Sequence, residues 1–541
     1  MIQGQKFKKS DTSLLVRGFL NLRQFHTISI RRPMFIEPTG EMSNQKGGKP
    51  MIRPELKEIE ALNESGKYKV VPISCEILSD SLTPIEAMRI LKNVSTHCYL
   101  LESAAEHNTW GRYTFLGYDP KLEITCVGGK LKIGELEFNT DDPAAYIRKI
   151  LAEYSTPKFD YLPPFTGGLV GYFSYDYLSY SEPSVRIEVE DEENFKDIDL
   201  MLFDKVLVFD NFAQKLILIA NMRLEDGEVG YNKAVMELKN MASLLKNGEK
   251  VDEKPGHLKG EVKPLFDKER YCEMVEAGKR YIREGDIFQV VLSNRLSAPY
   301  EGSLLNTYRI LRTINPSPYM FYFSGTDVEI AGSSPETLVK LKDGVLKTFP
   351  LAGTRPRGKT EEEDKQLEEG LLSDEKELAE HNMLVDLGRN DLGRICKFGS
   401  VEVEKLHCIE KFSHVMHIGS VVRGEIKDEF DALDAISAVL PAGTLSGAPK
   451  IRACQIIAEL ENNKRGVYGG AIGYIAFNGD MDTCIAIRIA YKKNGKVFVR
   501  SGAGIVADSV PESEYRECIN KAAAVVSALE KAEVVDNDIT Y

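Results

Sequence analysis

Glu377 and Glu380 lie three residues apart, and so do Glu514 and Glu517. On a helix this spacing puts both carboxylates of a pair on one face. Asp374 can cap the first helix, with Leu378, Met383, Leu384 and Leu387 as its apolar side. Pro511 lies near the first turn of the second, whose buried side is Tyr515, Cys518, Ile519, Ala522 and Val526. Brought together, the two acidic faces would offer oxygen ligands to a hard cation such as magnesium, which takes few carboxylates and fills its other positions with water and an anionic substrate. Two solvated acidic faces account for the same spacing, and the run 361–364 reads that way.

Arg488 stands inside the apolar stretch Ile485-Ala-Ile-Arg-Ile489, read as a strand. A buried guanidinium needs an anionic partner, either a structural carboxylate or the carboxylate of a ligand. Glycine-rich segments occur at 353–355, 443–447, 468–470 and 501–504. Glycine lets backbone N–H groups come close to an anion, but none of these segments has a Walker or dinucleotide-binding context. The segment 502–504 reads equally as a tight turn after a strand over 497–500. His381, His417 and Glu336 say little individually.

Several kinds of element must position these groups. The 541 residues are 43% hydrophobic and 28% charged, ordinary globular usage with room for a substantial core. Strand-like runs at 122–127 and 205–209 alternate with helical ones such as 84–91, as expected of an α+β domain over 51–245. Residues 246–263 have the composition of an exposed linker. A second domain is expected over 264–530, with a helix at 266–283, strands at 287–292, 320–323, 468–477, 483–490 and 496–499, and a hairpin about Lys342-Asp-Gly344; 531–541 form a tail. Residues 1–50 carry nine Lys or Arg against three acids, in contrast to a whole-chain charge of -13. This basic extension reads as a disordered tail, an organelle transit segment, or sequence upstream of a true start at Met34 or Met51.

The acidic balance and lack of a basic face argue against nucleic acid. No apolar run reaches the ~18 residues of a bilayer-spanning helix. Nine cysteines without a Cys-x-x-Cys pair fit reduced thiols in a soluble cytoplasmic protein.

Taken in order, the segments Gly285-Asp-Ile-Phe-Gln-Val-Val-Leu-Ser293, Ser333-Ser-Pro-Glu336, Pro350-Leu-Ala-Gly-Thr-Arg-Pro-Arg-Gly358, Glu380-His-Asn-Met-Leu-Val-Asp-Leu-Gly-Arg-Asn-Asp391, Gly443-Thr-Leu-Ser-Gly-Ala-Pro-Lys450 and Ser501-Gly-Ala-Gly-Ile505 resemble the chorismate-using enzymes, most closely the anthranilate synthase component I family. The resemblance spans about 70–530. It implies a two-domain α+β fold of packed antiparallel sheets wrapped by helices, and conversion of chorismate and ammonia to anthranilate and pyruvate, the first step towards tryptophan.

The resemblance also implies roles for residues. Glu380 and Glu517 match Mg2+ ligands, with Glu377 and Glu514 behind them. Glu336 matches a general acid for the departing ring hydroxyl, and His417 a histidine needed for pyruvate elimination. Gly353, Thr354, Tyr468, Arg488, Gly502, Ala503 and Gly504 match the chorismate site: Arg488 would pair with the enolpyruvyl carboxylate, the 502–504 amides would cradle carboxylate oxygens, and Lys521 would add positive charge. Ser103 in Leu100-Leu-Glu-Ser103, with Pro318, Tyr319 and Met320, matches a pocket for inhibition by L-tryptophan; a turn forced by Pro316 and Pro318 is the plainer reading of that loop.

Sister activities differ at two positions. Isochorismate and salicylate synthases place a water-activating lysine where Gln289 stands, and aminodeoxychorismate synthase component I places an attacking lysine where Ala352 stands. Gln289 thus disfavours isochorismate or salicylate chemistry and Ala352 the folate-pathway alternative, which leaves anthranilate; a noncatalytic tryptophan-sensing partner is the reading from another class. No cysteine has the Gly-x-Cys-x-Gly setting of a glutaminase, and the likeness ends close to Tyr541. A separate glutamine amidotransferase subunit, component II, is therefore expected to deliver ammonia within a hetero-oligomer, and the chain alone is expected to accept free ammonia at high pH.

Overall fold

The computed structural model describes residues 51–104, 111–185, 189–412 and 415–535. The extension 1–50 and the end of the expected tail, 536–541, lie outside them. The described residues form two antiparallel sheets, of thirteen and twelve strands, packed face to face with helices on both outer surfaces.

The strand pattern dictates this layering. Successive strand residues point to opposite faces. In Lys205–Asp210, Val206 and Val208 enter the layer between the sheets, while Leu207 and Phe209 pack under the outer helices. The neighbouring Lys215–Arg223 sends Ile217 and Ile219 inward and Leu216 and Leu218 outward. Burial on both faces explains why the run 206–222 is so apolar. No described helix is long and apolar enough to cross a membrane, and all nine cysteines are free.

Both sheets draw strands from either side of the segment 246–263. In the first, Cys98–Glu102 pairs with Tyr319–Ser324; in the second, Gly168–Phe173 pairs with Ala471–Ala476. The two regions expected as separate domains thus share their cores, because each half leaves an open strand edge that the other covers. Within the expected linker, His257–Leu258 and Lys263–Pro264 pair with the long strand Gln289–Glu301.

Local signals set several element ends. The Asp374 carboxylate accepts from the Lys376 and Glu377 amides and starts the helix Glu375–Gly393, a cap worth about 1 kcal/mol. Pro511 opens the helix Pro511–Lys531. Asp343 and Gly344 take φ of 52° and 76°, as a two-residue hairpin turn requires.

Two further expectations change. The stretch 483–490 is not one strand: Met481–Ile485 belongs to the second sheet, Ile489–Lys493 to the first, and Arg488 lies between them with φ of 53°. Residues 502–504 are not a turn but part of the strand Lys496–Ile505, paired with Val291, Leu292 and Ser293.

Candidate active site

Two of the chain's passages from one sheet to the other lie side by side. Pro335 and Glu336 connect Glu329–Ser334 of the first sheet to Thr337–Lys342 of the second, and residues 486–488 cross back. The crossings are laced together: the Ile485 amide donates to the Glu336 carbonyl (3.0 Å), the Ser333 amide to the Arg488 carbonyl (3.2 Å), and the Ser334 hydroxyl to the Ile485 carbonyl (2.6 Å). A carboxylate and a guanidinium are therefore held near each other without belonging to a regular strand.

Glu336 is 8% exposed. Burial pushes its carboxyl up to about 8, against the Thr444 hydrogen bond, the Leu351 backbone and the Arg488 charge, which all favour ionisation. The Thr444 hydroxyl donates to both carboxyl oxygens, at 3.2 and 3.3 Å. A carboxylic acid that keeps its proton at neutral pH is suited to general acid work. Burial also lowers the Arg488 pKa, with Glu336 opposing, and Arg488 donates to Asn315 Oδ1 at 3.4 Å.

His417 lies on the strand Val415–Glu425, opposite Thr354 of Leu351–Pro356. The Gly353 carbonyl can only accept, so the proton is assigned to His417 Nδ1, which donates to it at 2.9 Å and also lies 3.1 Å from the Thr354 hydroxyl. That leaves Nε2 as a base. Burial holds the imidazole below its usual pKa, aided by the charges of Arg488 and Lys521 and opposed by the Gly353 bond. Gly353 has φ of 66°, and a Cβ there would lie 3.1 Å from Leu371 and 3.2 Å from a Glu377 oxygen.

A cleft of about 540 Å3 brings His417, Arg488, Glu517 and Lys521 together, with Asn315 and Pro335 also in its wall. Glu336, next to Pro335, adjoins the cleft through Arg488. Tyr468 is buried, with the Arg465 guanidinium 6.0 Å from its ring, and does not line the cleft. Along 502–504, Lys521 Nζ donates to the Gly502 carbonyl at 3.2 Å. In an antiparallel strand the N–H and C=O of a residue point the same way, so the Gly502 amide faces the edge left open where Ile489–Lys493 stops pairing at Val499. Amide donors are thus available without a turn.

Glu380 Oε1 accepts from Gln289 Nε2 at 3.1 Å. Gln289 Oε1 is buried with no partner, and a Cβ on Gly504 would lie 2.6 Å from Gln289 Nε2. Glu517 pairs with Lys521 at 2.7 Å. Glu514 is raised first by burial and also by the Glu517 charge, and it feels Lys376 of the opposite helix, so the two acidic faces are within electrostatic reach. Among the described residues no three His, Cys, Asp or Glu side chains form a compact metal cluster. The all-oxygen donors on two helices within electrostatic reach of each other nevertheless fit a hard cation that takes few protein ligands. His381, by contrast, is fully buried and bonded to the Ser420 hydroxyl at 2.6 Å.

The segment 103–104 lies beside 317–320: Met320 is opposite Glu102, and the Ala104 amide donates to the Ser317 carbonyl at 3.0 Å. Met320 is buried, and the Tyr319 hydroxyl donates to Asp482 at 2.8 Å. Thr444, Asn315 and Arg465 were not singled out by sequence. Thr444 lies inside a quoted motif, and Arg465 is a charge just ahead of Tyr468, but neither spacing carries a chemical signature.

The chain matches the chorismate binding enzyme family over residues 96–527. It is 44% identical to anthranilate synthase component 1 of Acetivibrio thermocellus over 500 residues, covering 89% of this chain and 99% of the relative. It is 45% identical to the Aquifex aeolicus protein of the same name over 490 residues, 88% and 98% of the two chains. The crystal structure of anthranilate synthase component I from Streptococcus pneumoniae TIGR4 superposes with a TM-score of 0.70 at 38% identity, covering 83% of this chain and 98% of the other. MenF, the menaquinone-specific isochorismate synthase of Escherichia coli, shares the fold at 19% identity and a TM-score of 0.63, over 88% and 98% of the chains.

Proposed function

This chain belongs to the chorismate binding enzyme family, among the relatives of anthranilate synthase component 1, and from that premise we propose that it makes anthranilate and pyruvate from chorismate and ammonia, with Mg2+ as cofactor and L-tryptophan as feedback inhibitor. The observation that carries the mechanism is Glu336, a buried carboxyl that keeps its proton to about pH 8 beside Arg488.

Arg488 pairs with the enolpyruvyl carboxylate of chorismate, and the open-edge amide of Gly502, with Lys521 beside it, receives carboxylate oxygens. Glu380 and Glu517 would hold the magnesium ion, with Glu377 and Glu514 behind them; when bound, the ion supplies positive charge to the ring carboxylate. Glu336 gives its proton to the ring hydroxyl, which leaves as water while ammonia forms the new C–N bond. Neutral His417, through Nε2, serves the later step in which a ring proton and pyruvate depart and the ring becomes aromatic. Gln289 is an amide and cannot activate water; Ala352 cannot attack the ring. Both features support ammonia as nucleophile and anthranilate as product.

The relatives' name, component 1, supports a second subunit, and we assign it the hydrolysis of glutamine to ammonia. For tryptophan, the strand Tyr319–Ser324 pairs on one side with Cys98–Glu102 and on the other with Glu329–Ser334, which runs into Glu336. A ligand at Ser103, Pro318, Tyr319 and Met320 would therefore act one strand away from the general acid; such couplings are usually worth ~1–3 kcal/mol.

The test is to mix the purified chain with chorismate, magnesium and ammonium at alkaline pH, follow anthranilate fluorescence, and repeat with tryptophan. Fluorescence that tryptophan suppresses is the expected result. Chorismate consumed without anthranilate would overturn it in favour of aminodeoxychorismate or isochorismate chemistry.

The pH dependence has a definite sign. Glu336 must be protonated to act, and its raised pKa keeps it so through neutrality, so kcat should fall as pH rises through about 8. His417 must be neutral, and its lowered pKa puts the acid limb below the usual imidazole value of 6.5. A kcat profile with no alkaline limb would remove Glu336 from the acid role.

A further inference from the structure

Beneath the candidate site lies an ionic group that the mechanism above does not use. Glu461, at the end of the helix Lys450–Glu461, is 3% exposed and lies between two arginines, Arg465 and Arg500, each 1% exposed. Its Oε1 accepts from Arg465 Nη2 (2.6 Å) and from the Ser293 amide (2.7 Å); its Oε2 accepts from Arg465 Nε (2.9 Å) and Arg500 Nη2 (2.7 Å). One buried carboxylate thus holds two guanidinium groups, so neither arginine alone is needed to keep it paired.

The remaining bonds of Arg465 reach towards the candidate site. Nη1 donates to the Leu445 carbonyl at 2.7 Å and Nη2 to the Val291 carbonyl at 2.8 Å. Leu445 follows Thr444, the residue bonded to Glu336, and Val291 is the strand partner of Gly504. The short strand Gly447–Ala448 pairs with Gln289 and Val290, and the Val291 amide donates to the Ser446 carbonyl at 2.9 Å. Past that last main-chain bond, Arg465 takes the Val291 carbonyl and Glu461 the Ser293 amide, so these two side chains continue the sheet edge.

We propose that Arg465 is a positioning residue for the general acid: by tying the Leu445 carbonyl to the Val291 edge, it fixes the turn Gly443–Leu445 so that the Thr444 hydroxyl meets Glu336. This rests on the functional reading above, in which Glu336 gives a proton. Arg500 keeps Glu461 paired when Arg465 is replaced by a neutral side chain, so the role is separable from folding.

The test compares the full chain with Arg465→Gln, Arg465→Lys, Thr444→Val and the double variant Arg465→Gln/Thr444→Val in the ammonia-driven anthranilate assay, with thermal unfolding as the check of fold. Arg465→Gln should fold and lose ~10-fold to ~10²-fold in kcat, the scale of a misplacement remote from the chemistry. Its alkaline limb should move to higher pH, as in Thr444→Val, because the Thr444 bond favours the ionised carboxyl. The double variant should be no worse than Thr444→Val, and Arg465→Lys should recover part of the loss. A folded Arg465→Gln with the parent's kcat and pH profile overturns the proposal, and so do additive effects in the double variant. If neither Arg465 variant folds, the group is a folding element and the proposal fails. A parent chain that makes no anthranilate fails the functional reading itself, and is distinguished from these outcomes by the parent assay alone.

Discussion

Glu336→Gln is expected to lower kcat for anthranilate formation by ~10²-fold to ~10⁴-fold, the usual contribution of a positioned general acid, with little change in KM for chorismate. Glutamine keeps the size and polarity of a neutral carboxyl group and can still accept from Thr444, which lies 3.2 and 3.3 Å from the two oxygens. Because the native group is uncharged up to about pH 8, the swap leaves no unpaired buried charge, and the fold should survive. What glutamine lacks is a proton it can give to the departing hydroxyl. Steady-state kinetics across pH would check this: the alkaline limb should vanish along with the rate. A variant that retains kcat within a factor of a few would show that the proton comes from elsewhere.

Charge reversal at the acidic faces should be more severe still. Glu517→Lys or Glu380→Lys is expected to take anthranilate formation below detection while the chain stays folded. Glu517 is half exposed and its ion pair with Lys521 lies at the cleft mouth; exposed pairs of this kind contribute ~0–1 kcal/mol to stability. Glu380 makes one side-chain bond, to Gln289. Neither is a core residue, so the thermal midpoint should shift by no more than a few degrees. A lysine at either place would put a positive charge where the proposed function places a magnesium ion. Calorimetric titration of magnesium into each variant gives a readout independent of turnover, and loss of the cooperative unfolding transition would instead make these carboxylates structural.

The sequence was most legible where one short segment decides its own geometry. Asp374 caps a helix because its side chain reaches amides two and three residues on, and the Lys342-Asp-Gly344 hairpin turns because two successive residues tolerate positive φ. The alternating apolar runs revealed strands, and the long motifs revealed the family. The pairing of distant strands was not legible. Nothing within Cys98–Glu102 indicates that it lies against Tyr319–Ser324, so two regions expected as domains proved to share both sheets.

The candidate site was legible by residue type but not by setting. The sequence pattern puts Arg488 inside a strand, because the residues on either side are equally apolar; a change of sheet leaves no mark on hydrophobic pattern when both sheets are buried. Residues 502–504 were open between a turn and an anion cradle, and the strand edge supplies donors by a third route. Thr444 and Arg465 escaped notice because a hydroxyl and a guanidinium become informative only when the buried oxygen each one meets is known.

The two crossings have a consequence for how this protein can be divided. Glu336 and Arg488 owe their proximity to two passages between layers, and each layer is woven from early and late portions of the chain. Cutting the polypeptide within 246–263 would therefore not release an active fragment and a regulatory one. It would give two pieces with raw strand edges, and the acid and the cation would face each other again only after the pieces had reassembled. Linear modularity stops at the level of the gene; in the folded molecule, catalysis belongs to the weave.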